Sequence, residues 1–508
     1  MLAAPAVEYF IDDLERTDER PITVPLEANG RTWTAVLPPQ PGNSIVRYRF
    51  VGRRGGPTVE RLSPRPSDPN PWFATFVNPA LPATRTFQLF VSPANWTQLW
   101  TNIGSGPNTG PAANMRCQVV TSWDQPVPAV FVSEGNVYDV LARYQGSRFN
   151  RRNGNNLASW SAPGPSQPAP LRALSWRLAF PRYRRFEGDR TIVLNKQWQT
   201  CPGFMNALES KLLAAAGVPA QRFSYARLHI NGAYYQYVAQ IEATNEEMMA
   251  RIEGPGRPIG DLFKDDGATD EQGPWGRGDF SPLAPHCGFT PAQRYQTTYE
   301  RETHGWKNDS GRGHDDLIRL IEDLAMTKPR GNDAVRAYFA KYFDIPELTT
   351  LFAVRNWAGV WDDVVHNMFF YKRASDGKWL IIPQDFDLDF GGDGTAMMGR
   401  WMKIPPSASF LNGEEGNATG LAGGGINQLK SAFIRAYRPE LTQRLIDLSK
   451  TVLAPDNVLE MLDQAVTEFS MADWMAAPLV QTCDVQARIQ RARTWGRDRH
   501  VALSAGVR

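Results

Sequence analysis

Met368-Phe-Phe-Tyr-Lys-Arg373, then Trp379-Leu-Ile-Ile-Pro383, then Gln384-Asp385-Phe386-Asp387-Leu388-Asp389-Phe390-Gly391-Gly392: this stretch decides how the chain is read. Two short runs of aromatic and β-branched residues flank Asp376-Gly377. Such a pair reads as a hairpin, because Asp-Gly accepts the positive φ that a tight turn demands. Just upstream lies Trp361-Asp362-Asp363-Val364-Val365-His366-Asn367. A hairpin returns its two ends to one place, so Asn367 and Asp385 are predicted to be neighbours. Amide and carboxylate oxygens gathered there repel one another unless a cation joins them. Mg²⁺ prefers a few carboxylates together with substrate phosphates, which this cluster offers.

Asp362 precedes Asn367 by five residues. The same interval separates the catalytic-loop Asp from the metal-binding Asn in protein kinases, where a strand pair then leads to a second metal-binding Asp. Taken alone the spacing is weak, since loop-capping residues match it often. Two other readings of the second cluster fail. Asp385, Asp387 and Asp389 have the 1-3-5 spacing of a calcium loop, but Phe390 and Ala396 stand where that loop needs Gly and Glu. A solvated acidic turn does not suit the interleaved Phe386, Leu388 and Phe390, which should be buried.

Working outward, residues 1–84 alternate short apolar strands (Ile22–Leu26, Thr32–Leu37, Ile45–Val51) with Gly, Pro and Asn, as expected of a β-sandwich-like module. From Arg85 strands continue. Ser92-Pro93 opens a short helix, and strands are expected at Val130–Val132, Val137–Tyr144 and Leu174–Phe180. An amphipathic helix is predicted over Phe204–Ala216, stopped by Gly217-Val218-Pro219. Asn231-Gly232 centres a hairpin over 224–242. Residues 253–312 read as loop. Helices are predicted at His314–Met326, Asn332–Phe343 and Ile345–Val360, and again from Ile426 onward. Strands first and helices last make an α+β fold.

The 508 residues and 56.8 kDa leave room for two units, and a hydrophobic fraction of 42% excludes disorder as the main state. Net charge is only +2, so counterion release cannot drive nucleic-acid binding. No apolar run approaches the roughly 18–20 residues that span a bilayer. The N-terminus, with Glu8, Asp12 and Asp13, lacks the basic and apolar regions of a signal peptide. Cys117, Cys201, Cys287 and Cys483 form no CxxC pair, which argues against structural zinc; two disulfides and buried thiols both stay open. Oligomeric state is not legible.

Over roughly residues 85–480 the chain resembles the CotH kinase family, named for a spore-coat protein kinase of atypical fold. The resemblance is carried in order by Arg143-Tyr-Gln-Gly-Ser147, Ser175-Trp-Arg-Leu-Ala-Phe180, Ala215-Ala-Gly-Val-Pro219, Leu228-His-Ile-Asn-Gly-Ala-Tyr-Tyr235, Gln240-Ile-Glu242, Asp261-Leu-Phe-Lys264 and the two acidic clusters. It implies an atypical, divergent protein-kinase-like two-lobe fold, with a strand-rich lobe over about 85–265 and a helical lobe over about 310–505. It also implies ATP, Mg²⁺ (or Mn²⁺) and a Ser or Thr hydroxyl of a protein substrate. By the same resemblance Asp362 is the catalytic Asp, Asn367, Asp385 and Asp387 are metal ligands, and Glu242 and Lys264 lie on the nucleotide side. An exported or cell-envelope setting follows from the family as well.

The chain departs from the family pattern where phosphate needs a cation. Gln145 stands where a Lys is usual, and the next strand carries Arg172, Ser175, Arg177 and Ala179; Gln384 replaces the Trp before the metal Asp. Arg177 and Arg143, with Arg148 nearby, are the substitutes, although a planar guanidinium demands different geometry from an ammonium. Two alternatives therefore remain: a pseudokinase used as a surface or envelope interaction module, and a kinase fold that transfers AMP.

Overall fold

The computed structural model describes residues 2–14, 19–77, 84–102, 108–109, 119–120, 125–146, 174–196, 203–265, 278–286, 288–303, 313–360, 367–386, 390, 427–477 and 484–506. Strands precede helices, a mixed α+β architecture as the patterning predicts.

The first strands are β1 (Leu2–Ile11), β2 (Ile22–Pro25), β3 (Glu27–Asn29), β4 (Thr32–Thr34), β5 (Ser44–Arg54), β6 (Glu60–Ser63) and β7 (Phe73–Val77). They make a five-stranded sheet of order β2-β1-β5-β6 with β7 also on β5, and a separate β3-β4 ribbon. Against the expectation of a β-sandwich-like module or a piece of one, the five strands form one sheet with the following unit packed on it. Its Ile45 and Phe76 pack on Phe90, Val130, Val132 and Val137. Arg47 ties Asp12 (2.7 Å) to Asp139 (3.0 Å from Nη1) across that contact. The alternation that would announce β1 is interrupted by Pro5 and Glu8. Ala6, Val7, Tyr9 and Phe10 are buried, and β1 is an interior strand of the sheet.

Next come β8 (Thr86–Phe90), the ribbon of β9 (Asn108–Thr109) and β10 (Val119–Val120), β11 (Val127–Ser133), β12 (Asn136–Gln145), β13 (Ser175–Ala179), β14 (Thr191–Asn195), β15 (Phe223–Ile230) and β16 (Ala233–Glu242). Seven of them close into a barrel of order β11-β12-β13-β14-β16-β15-β8, a closure that the strand patterns did not announce. Only β8 and β15 run parallel. Side chains alternate in and out along each strand. Phe87, Leu89, Phe131, Trp176, Leu178, Leu194 and Leu228 fill the interior, so it is a packed core and not a channel. Asn231 (φ 49°) and Gly232 (φ 84°) form the predicted β15–β16 turn. The Asn231 side chain also donates to the Val91 carbonyl (3.1 Å) and accepts from its N–H (2.9 Å).

Residues 253–312 contain more order than a loop: β17 (Asp261–Asp265), a Pro291–Thr298 helix and β18 (Tyr299–Arg301). The helix start was legible, since Thr290 and Gln293 form a capping box. Strand β17 was hidden because acidic residues bracket its two apolar ones. With β19 (Met368–Lys372) and β20 (Trp379–Pro383) these strands make a sheet of order β18-β17-β19-β20.

The other α-helices are Pro93–Thr101, Glu246–Glu253, Asp315–Thr327, Asn332–Tyr342, Ile345–Ala358, Gln428–Ala436, Arg438–Ser449, Pro455–Glu468, Met471–Met475 and Val485–Ser504, and Phe204–Ala215 lies between β14 and β15. That last helix was expected to be amphipathic, yet nine of its residues are buried. It is sandwiched by one apolar core that runs without a break from Tyr225 and Tyr237 on the barrel exterior to Phe339, Trp357, Phe433 and Trp495. Barrel and helices thus share a core, and the expected strand-rich and helical lobes are not clearly divided.

Candidate functional site

The expected hairpin forms, with Met368 opposite Pro383 through to Lys372 opposite Trp379. At its turn Gly377 takes φ 71°, and the Arg373 N–H donates to the Lys378 carbonyl at 2.8 Å. At the open end the Gln384 N–H donates to the Asn367 carbonyl at 3.0 Å. Asn367, which accepts this bond, and Asp385, which follows its donor, are therefore neighbours at the hairpin base.

The backbone there is unusual. Asn367 (φ 64°), Asp385 (φ 56°) and Phe390 (φ 53°) are all left-handed. Asn and Asp tolerate this conformation, but for Phe it carries a cost of about 1–3 kcal/mol. Phe390 is held by its N–H, which donates to the Ala358 carbonyl at 2.8 Å, and by the ring of Trp357 at 6.3 Å. Such residues gather where geometry serves function. Asn367 is buried and Asp385 exposed. Both supply hard oxygen donors of the kind Mg²⁺ takes, one fixed in the protein and one facing outward. Asp362, His366 and Asp387 lie outside the described residues, as do Arg148 and the four cysteines.

Asp362 follows the Ile345–Ala358 helix, whose end is closed with unusual completeness. The last four carbonyls of a helix lack partners within it. Gly359, at φ 71°, donates to Asn356, and Val360 donates to Arg355. The Trp357 carbonyl accepts from Trp495 Nε1 (3.2 Å) and Arg499 Nε (3.0 Å), and the Ala358 carbonyl from Phe390. The point from which the Asp362 segment departs is thereby fixed.

The barrel's outer face carries the candidate phosphate cations. Arg143 stands opposite Arg177, Arg177 opposite Val193, Val193 opposite Ile241, and Ile241 opposite Phe223. This single file crosses five strands and ends at Phe223, whose ring lies 6.4 Å from that of Phe386, next to Asp385. The two arginines and the hairpin base thus share one surface. At about 4.8 Å per strand, Arg177 is roughly 14 Å along it from Phe223. The sequence pointed to the arginines but not to this file, because strand register is invisible without the barrel.

Lys264 on β17 stands opposite Phe369, two residues from Asn367. Glu242 ends β16 with its carboxylate buried and clamped: Arg251 donates at 2.8 and 2.6 Å, and Arg222 at 3.1 Å from its backbone and 3.2 Å from its side chain. Among the described residues, the carboxylates close enough to share an ion are Asp12, Asp13 and Glu19 of the N-terminal sheet, where Asp12 already pairs with Arg47.

With this geometry in hand, comparison with known proteins assigns the family. The profile described as CotH kinase protein matches residues 169–503, about two-thirds of the chain. The protein belongs to the CotH kinase family. The match begins after β12, so Arg177, Glu242, Lys264, Asn367 and Asp385 fall within it and Arg143 does not. Among curated proteins the chain is similar to the inner spore coat protein H of Bacillus subtilis (strain 168), 21% identical over 291 residues, which are 55% of this chain and 67% of that one. Among solved structures it is similar to the Helicobacter pylori proinflammatory kinase CtkA, with TM-score 0.28 and 10% identity over 65% of this chain and 95% of that one. It is also similar to the Shewanella oneidensis HipA, HipB and operator DNA complex, with TM-score 0.27 and 10% identity over 85% of this chain and 74% of that one. Superpositions this distant carry no weight beside the family match.

Proposed function

We propose that the protein is an ATP- and Mg²⁺-dependent protein kinase of atypical fold that transfers the γ-phosphoryl group to a Ser or Thr hydroxyl of a protein substrate. The observation that supports this most is the apposition of Asn367 and Asp385 at the hairpin base, in a chain of the CotH kinase family. Asn367 and Asp385, with Asp387, would hold the metal, which supplies charge neutralisation on the phosphates. Asp362 would orient the acceptor hydroxyl. Arg177 and Arg143 would draw the nucleotide's phosphates along the shared face, and Lys264 would add positive charge beside Asn367. Glu242 would act through Arg222 and Arg251, which it holds in place. Mn²⁺, with the same oxygen preference, would substitute for Mg²⁺. The spore-coat relative favours an exported or cell-envelope setting.

A second reading, a pseudokinase serving as an interaction module, is favoured by Val193 and Ile241, which lie between the arginines and the metal end. Incubation with ATP and Mg²⁺ or Mn²⁺, followed by mass spectrometry of the products, decides the matter. Phosphate on Ser or Thr, lost in Asp362→Ala and Asp385→Ala, is the expected outcome. AMP adducts would mean adenylyl transfer. Wild-type turnover in both variants would refute the site. A nucleotide at ~100 times its dissociation constant adds about 2.7 kcal/mol of stability, so the absence of any thermal shift identifies the pseudokinase.

A further inference from the structure

Two fully enclosed charges sit beside Phe386, the residue that follows Asp385. Glu209, on the Phe204–Ala215 helix, accepts a hydrogen bond from Arg355 Nη1 at 2.8 Å, and the two side chains are 0% and 2% exposed. Arg355 belongs to the Ile345–Ala358 helix. A buried ion pair is poor evidence of stability, because desolvation offsets its attraction; it is better evidence of a required geometry. Arg355 also has a second neighbour. Its guanidinium carbon lies 5.2 Å from the centre of the Phe386 ring, within cation–π range. Phe386 is itself fully buried and follows Asp385 directly.

Asp385 is left-handed, so local preference does not set its direction. It is held from two sides: the Gln384–Asn367 hydrogen bond before it and the Phe386 ring after it. We propose that Arg355 is a positioning residue, fixed by Glu209, that locks Phe386 and so aims the Asp385 carboxylate. The Phe204–Ala215 helix is thereby coupled to the metal end of the site through Arg355. The metal part of this inference rests on the kinase reading; the mechanical part does not.

The test uses the full chain with Arg355→Lys, Arg355→Met, Glu209→Gln and the double variant Glu209→Leu/Arg355→Met. The double variant replaces both charges, so no orphaned ion is left to unfold the protein, and Arg355→Lys retains a cation. Amide exchange without ligand is expected to quicken over residues 384–386 in the Met variants while Met368–Lys372 keeps its protection. With ATP, the half-saturating Mg²⁺ concentration should rise about tenfold, kcat at saturating metal should hold within about threefold, and Lys should recover part of the loss. A folded double variant with wild-type exchange at 384–386 overturns the inference. If wild-type protein shows no metal–nucleotide response, the kinase reading falls, and the exchange data still decide the coupling.

Discussion

Arg499, near the end of the last helix, donates from Nη2 to the Asn356 carbonyl at 2.6 Å, reaching the turn from which the Asp362 segment leaves. It also serves Trp357 at 3.0 Å and is wholly buried, with its guanidinium pushed down to about 9 by that burial and still charged at neutral pH. A cation is favourable at a helix C-terminus, where the dipole is negative. Arg499→Met removes these charge-assisted bonds but relieves the buried charge. We expect a net destabilisation of about 2 kcal/mol by denaturant melts and a drop in activity larger than the stability loss explains. Trp495→Phe removes one bond to the same carbonyl and should cost about 1 kcal/mol. Wild-type stability in Arg499→Met would show that the helix end needs no clamp.

The carboxylate of Asp385 can be separated from its backbone. Glycine accepts φ 56° without strain, so Asp385→Gly should melt within a few degrees of wild type while the Mg²⁺-dependent shift with ATP disappears. Asp385→Ala loses the same ligand and adds about 1 kcal/mol of left-handed strain. Calorimetry with and without Mg²⁺ and ATP checks both. A retained metal-dependent shift in the Gly variant would remove Asp385 from the metal site.

These two cases mark what the sequence made legible. The hairpin could be read from β-branched and aromatic runs around Asp376-Gly377, and hairpin geometry alone put Asn367 beside Asp385. The same local logic found the Asn231-Gly232 turn and the Ile345–Ala358 helix. Arg499, Arg355 and Glu209 could not be found, because charged residues read as surface and only tertiary packing buries them. The barrel closure, and with it the Arg143–Phe223 file, depends on pairing between strands far apart in sequence. β1 is masked in the sequence by Pro5 and Glu8, although strand pairing on both sides makes it central.

Arg177 offers a test of the proposed phosphate face. Its side chain forms no ion pair or hydrogen bond among the described residues, so Arg177→Ala should leave the melting temperature unchanged. The KM for ATP should rise about tenfold, equivalent to about 1.4 kcal/mol of lost binding, with kcat less affected. Arg177→Lys should recover only part, since an ammonium lacks the planar fork. Steady-state kinetics at two salt concentrations reads this out. An unchanged KM would move the phosphate contact to another cation, with Lys264 next to be tried.

The last expectation concerns pH. Glu347 lies in the first turn of the Ile345–Ala358 helix, where the Asp344 side chain accepts its N–H at 3.1 Å. Burial pushes its carboxyl up to about 7, against the pull of Arg373 at 3.7 Å and with further upward push from Asp344 and Asp376. Below an ordinary glutamate value of about 4.5, folded and unfolded chains are both protonated here, and the stabilisation is complete. As pH rises toward 7 the unfolded chain ionises while the folded one retains its proton, so stability falls across that window and levels off above it. The loss is on the order of 1–3 kcal/mol. Glu347→Gln keeps the shape and removes the titration. The variant should match wild type near pH 4 and exceed it at pH 8 in parallel denaturant melts. An equal difference at both pH values would mean that the carboxyl ionises normally within the fold.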